Sequence, residues 1–173
     1  MTAFDGLGLD GFNALPDDRA EEALLACCAS PAWVRAVGGH RPYRDAGRLF
    51  AAADAALARM SDNDLDDALA GHPRIGDRPD GEWSRREQAG VHDADAATRH
   101  RLAEANRAYE DRFGHVYLVC ATGKSAEELL AILAGRVGND PPSERATVRA
   151  ELGKINRIRL QKLLGDARTE GEP

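Results

Sequence analysis

Aromatic side chains are scarce, 5% of the 173 residues, beside a 43% apolar share rich in alanine and leucine. That balance turns away from β-sheet, which draws on aromatic and β-branched residues, and toward helix. Long apolar runs are missing as well. None approaches the roughly 20 residues that cross a bilayer, and no basic-then-apolar leader opens the sequence. A membrane partner is therefore not expected, and the cytoplasm is the expected location. Cysteine occurs three times, at Cys27, Cys28 and Cys120. An odd count with two neighbours makes a poor disulfide framework, and the spacing fits no zinc motif. Free, buried thiols in a reducing compartment are the simple reading. Nor is there an excess of positive charge. The formal net charge is -6, with Lys and Arg scattered among acids, which argues against a nucleic-acid partner.

What remains suits one domain, large enough to bury a core without staples. The glycine-rich stretch 1–11 reads as loosely held, 12–164 as the helical domain, and 165–173 as a polar tail. Helix signals punctuate the middle. Acids at Asp17, Asp18, Glu21 and Glu22 suit a helix N-terminus, and Ser30-Pro31 caps and starts the next helix, which Gly38-Gly39 ends. Leu49, Phe50, Ala53 and Leu57 share one side of a helix over 44–60. Ser61 to Asp64 opens a short helix that Gly71 closes. A long helix is expected over 93–112, one over 125–137 behind the capping box Ser125-x-x-Glu128, and a last one over 142–164. The apolar, β-leaning stretch 115–121 finds no partner strand and reads as an extended segment buried against helices. Together these predict an all-α, single-domain bundle of about seven to nine helices.

The residues that could carry chemistry gather in 71–91. His72 lies just past a helix end, and Pro73 restricts its backbone toward extended geometry. An imidazole there can move a proton near neutrality; equally, a surface or helix-terminal histidine would interact with the negative end of the preceding helix dipole. Ser84, Glu87 and Gln88 follow at a helix start. Ser-x-x-Glu is a capping box, which accounts for Ser84 and Glu87 by structure alone but leaves Gln88 unexplained. The same helix start presents N–H donors to an anion, so both readings stand. Arg159 shares a face with Val148, Leu152 and Ile155, at steps of four, three and four. A guanidinium on that apolar stripe either snorkels to water or grips an anion. His72, Asp77 and His92 match no metal motif, so no metal is expected.

At these positions the chain resembles the 2-oxo-4-hydroxy-4-carboxy-5-ureidoimidazoline (OHCU) decarboxylase family of urate breakdown. The likeness runs in order through Phe12-Asn13, Cys27-Cys28, Trp33 and Arg41-Pro42-Tyr43. It continues through His72-Pro73-Arg74-Ile75-Gly76, Ser84-x-x-Glu87-Gln88, Phe113-Gly114, Val119-Cys120-Ala121 and Lys154-Ile155 to Arg159-Leu160. The resemblance implies an all-α, homodimeric carboxy-lyase that needs no cofactor and turns OHCU into (S)-allantoin and carbon dioxide. It implies His72 as the catalytic acid, with Pro73 shaping the pocket and Ser84, Glu87 and Gln88 binding ureido and ring groups. It further implies that backbone groups of Tyr117, Leu118, Val119, Cys120 and Ala121 pair with ring amides, and that Arg159 holds ring or carboxyl oxygens. Where many relatives carry Phe-Gly-Phe-Pro-Phe, this chain has Phe113-Gly114-His115-Val116-Tyr117. Two rivals predict otherwise: a helical binding domain of the same fold without turnover, and a dimerisation module with no pocket.

Overall fold

In the computed structural model, which describes residues 3–79 and 81–165, all regular structure is helical: ten helices and no strand among those residues. The all-α expectation holds; the helix number exceeds the expected seven to nine. The helices gather into two compact units, one formed by the chain up to Ala68 with the part from Gly153 onward, the other by Leu69–Leu152.

The first unit contains α1 (Gly8–Ala14), α2 (Asp17–Cys27), α3 (Pro31–Gly38), α4 (Ala46–Arg59) and most of α5 (Asp62–Ala70). Its helix starts follow local chemistry. Ser30 Oγ accepts from Trp33 N at 3.3 Å, and Asp45 Oδ1 from Arg48 N at 2.8 Å. Ser61 and Asp64 cap each other's backbone N–H at 3.1 and 2.9 Å. Phe12, Leu24, Trp33, Val37 and Leu49 are fully enclosed, and Trp33 Nε1 donates to Ala53 O at 3.1 Å. Helix α1 begins inside the glycine-rich stretch read as loose. Gly6 and Gly8, both at φ 71°, supply its entry turn, while Gly6 N and Leu7 N donate to Lys162 O and Leu163 O at 3.0 and 2.9 Å. Glycine here turns the chain into a helix instead of loosening it.

The second unit holds α6 (Glu82–Glu87), α7 (Ala89–His92), α8 (Ala96–Phe113) and α9 (Ala126–Arg136). The helix α10 (Pro141–Leu164) contributes its residues through Leu152 to this unit and those from Gly153 to the first. Gly114, at φ 77°, ends α8 in the left-handed turn that glycine favours. The core joins Ile75, Val91, Leu102, Tyr109, Tyr117, Val119, Ala121, Leu129 and Leu133. Residues 117–121 are buried throughout, and alternate members Tyr117, Val119 and Ala121 enter this core. That period of two is the mark of an extended segment lying on helices. Among the described residues no helix is long and apolar enough to cross a membrane.

Candidate active site

His72 stands one residue beyond the Gly71 turn that follows α5, its N–H donating to Leu69 O at 3.0 Å, and only 9% of its surface is exposed. A surface position is thereby removed, while the position just past the end of α5 stands. The loop after Pro73 is tied down at three successive residues. Arg74 Nε and Nη2 grip the two Glu110 oxygens at 2.6 and 2.7 Å, and these bonds hold the Glu110 carboxyl below its usual range. Asn106 Nδ2 donates to Ile75 O at 2.7 Å, and Gly76 N donates to Gln88 Oε1 at 3.0 Å. Gly76 itself, at φ 97°, has a backbone that L side chains rarely adopt. Gln88, left unexplained by capping, therefore latches the His72 loop to the junction of α6 and α7.

The capping-box account of Ser84 and Glu87 is overturned. Helix α6 starts at Glu82, with Gly81 as an N-cap that forms no side-chain cap bond. Ser84 thus lies in the first turn, not ahead of it, and Glu87 is the last residue of the helix. The earlier start follows from its composition. Glu82 suits the positive end of the dipole, Arg85 and Arg86 the negative end, and Trp83 is buried. Glu87 and Gln88 are both buried, whereas Ser84 is half-buried. Helix α7 then passes so close to the turn after 117–121 that a Cβ at Gly90 would run into the Lys124 carbonyl oxygen.

Segment 117–121 is held by groups that sequence reasoning missed. Arg136 Nη1 donates to Leu118 O at 2.6 Å, Glu151 Oε2 accepts from Cys120 N at 2.8 Å, and Lys124 Nζ donates to Cys120 O at 2.8 Å. Arg136 is itself fixed by Glu144, through Nε at 2.8 Å, while Glu144 accepts from Tyr109 Oη and from Asn139 Nδ2 at 3.0 Å. Burial pushes the Glu144 carboxyl up, but its bonds to Arg136, Tyr109 and Asn139 outweigh that and keep it below the usual range. Arg136 also lies over the Tyr117 ring, 5.0 Å from the centroid. Tyr117 Oη donates to Leu129 O at 3.0 Å, so one of the side chains that depart from the Phe-Gly-Phe-Pro-Phe pattern has a packing role. A signal for Arg136 was present. Leu129, Leu133 and Arg136 recur at steps of four and three, the spacing logic that singled out Arg159.

Arg159 belongs to the first unit. It is 6% exposed on a face with Val148, Leu152 and Ile155, all buried, and its Nη1 reaches Cys27 O at 3.4 Å. Snorkelling is therefore excluded. Asn156, buried one turn earlier, lies against the Cys28 thiol, which burial pushes up despite the Ser30 backbone, Asn156 and Arg159. A separate cleft of about 550 Å³ in this unit, lined in part by Asp17, Glu21, Arg35 and Arg41, contains none of the sequence-derived candidates. Cys27, Cys28 and Cys120 are buried and outside any disulfide among the described residues.

A family model described as OHCU decarboxylase matches residues 13–161. The chain belongs to the OHCU decarboxylase family. Among relatives, the uric acid degradation bifunctional protein TTL of Arabidopsis thaliana is 28% identical over 154 residues, 84% of this chain and 48% of that protein. The 2-oxo-4-hydroxy-4-carboxy-5-ureidoimidazoline decarboxylase of Amia calva is 39% identical over 77 residues, 44% of each chain. This OHCU decarboxylase family member thus spans about half the length of the curated relatives it matches. A crystal structure of OHCU decarboxylase in the presence of (S)-allantoin superposes with a TM-score of 0.74 at 24% identity, covering 87% of this chain and 99% of that one. That likeness establishes a shared all-α fold.

Proposed function

We propose that this chain is a carboxy-lyase that converts OHCU to (S)-allantoin and carbon dioxide in urate breakdown, with His72 delivering the proton to one face of the product carbon. The observation that carries the reading is a buried histidine at the head of a loop tied at Arg74, Ile75 and Gly76, whose core also takes in α7 and segment 117–121. Family membership and the unravelled capping box support it, since Ser84 and Glu87 are not accounted for by capping.

The chemistry follows from the residue types. The bond between the hydroxyl-bearing ring carbon and its carboxylate breaks, carbon dioxide leaves, and the electron pair moves into the adjacent ring C=N, whose nitrogen takes a proton. The resulting enol loses its hydroxyl proton and becomes the ring carbonyl as the ureido-bearing carbon is protonated. The ring's own C=N takes up that pair, so the step needs no cofactor. Buried donors stabilise the developing charge better than water would, because they need no reorientation. The guanidinium of Arg159 is assigned to ring or carboxyl oxygens, and Glu87 to N–H donors of the ureido arm. Ser84 and Gln88 complete the grip on ureido and ring groups, with Pro73 shaping the wall. A proton from the His72 imidazole then forms the new C–H bond, and water restores it to the ring. Stiffness matters here, since OHCU also decays unaided, and enzymatic value lies in speed and in protonating one face.

The test is to mix the protein with freshly generated OHCU and follow allantoin by circular dichroism. Faster appearance of the (S) form is expected, and an unchanged racemic decay would overturn the reading. His72→Ala should lose about 10²- to 10⁴-fold in turnover, with far-ultraviolet dichroism retained. Wild-type turnover in that variant would assign the proton to another group. The family resemblance also supports a homodimer, readable by sedimentation.

A further inference from the structure

We infer that Glu151 and Arg136 are positioning residues: they grip one edge of segment 117–121 and thereby turn the N–H and C=O of Val119 toward the substrate. The inference rests on the site proposed above and adds residues that neither touch the reacting atoms nor belong to the residues assigned to them.

In an extended chain, one residue directs its N–H and C=O to the same edge, and the next residue directs both to the opposite edge. The bonds to this segment follow that rule. Leu118 O takes Arg136, Cys120 N takes Glu151, and Cys120 O takes Lys124, so residues 118 and 120 are engaged along one edge. Val119 lies between them with its side chain in the core and its backbone groups leaving by the other edge. Among the described residues nothing bonds to those groups. A buried donor and acceptor left side by side is costly unless a partner arrives. A cyclic amide or ureide offers the complementary N–H and C=O, as a neighbouring strand would. Both grips are charged, hence stronger than neutral bonds. Arg136 is further locked by Glu144, which Tyr109 and Asn139 hold in turn. The network thus fixes the rotation of the segment about its own axis. A slip of one residue would turn the Val119 groups away and present bonded ones instead.

Two substitutions at one residue separate reach from charge. Glu151→Asp keeps the carboxylate but withdraws it by one methylene, whereas Glu151→Gln keeps an acceptor at full reach and loses the charge. Glu151→Asp should raise KM for OHCU, and Kd for (S)-allantoin by calorimetry, about tenfold. It should leave kcat within about twofold and speed hydrogen exchange at the Cys120 amide. Glu151→Gln should stay within about threefold of wild type in KM. A Glu151→Asp enzyme with wild-type KM overturns the inference, as do equal losses in both variants that track thermal stability. Wild-type protein that fails to accelerate OHCU decay overturns the function beneath it, a result distinct from either.

Discussion

Two helix starts in the second unit carry the same letters and behave differently. At α9, Ser125 Oγ accepts from Glu128 N at 3.1 Å and Glu128 accepts from Ser125 N at 2.9 Å, a complete capping box. At α6, Ser84 and Glu87 have the same spacing, but the helix has already begun at Glu82. The first pair closes its own backbone at the exposed start of a helix. The second leaves the helix end to Gly81 and keeps a buried carboxylate, Glu87, within a unit that also buries His72. One sequence pattern can therefore close a helix start in one register and leave its acid buried inside the helix in another. The deciding quantity is where the helix begins, which here is set by Glu82 and the buried Trp83.

The contrast can be broken most severely by isosteric change of the acids. Glu87→Gln should lower kcat/KM for OHCU by between about ten- and a hundredfold, the worth of one bond to a charged group, while Glu128→Gln leaves it within about twofold. Equal kinetics in the two variants would erase the distinction. Next come the serines. Removing the Ser125 cap should cost about 1 kcal/mol and lower the melting temperature by about 2–4 °C, without touching turnover. Ser84→Ala should hardly move the melting temperature. If it costs as much as Ser125→Ala, then Ser84 is a cap after all. The smallest effect sharpens the contrast from the other side. Gly81 has an ordinary extended backbone, φ -83° and ψ 138°, and a Cβ there would meet only Ser84 Oγ at 3.8 Å. Gly81→Ser should therefore stabilise α6 by a few tenths of a kcal/mol, measurable by denaturant titration.

Most of the helical frame was legible because its ends are written locally. Ser30-Pro31, Ser61-Asp64 and Ser125-Glu128 all cap where their side chains announce it. The unread elements lack such signs. Helix α1 is entered through Gly6 and Gly8, and α7 is shorter than the apolar repeat that reveals a helix, whereas α6 reads from the sequence with its start displaced to Ser84. For the candidate site, His72 and Arg159 stood out because Pro73 and an apolar stripe made them anomalous. The Arg136–Glu144 pair did not, because Glu144 in Pro-Pro-Ser-Glu reads as a helix-start acid and its partner lies on another helix. Asn106, which anchors Ile75, looks like any polar residue of a charged helix until the loop folds back on it. Local chemistry is visible in sequence, whereas pairings across the fold are not.

The bare hydrogen at Gly90 has a mechanical consequence. Because α7 rests directly on the Lys124 carbonyl, no side chain can act as a soft spacer between them. The stretch bearing Glu87 and Gln88 and the stretch bearing Val119 thus run on from a direct backbone contact at Gly90 and Lys124, with no side chain between them. For the function proposed above, a wall built this way meets its ordering entropy before substrate enters, so binding energy need not be diverted into closing it.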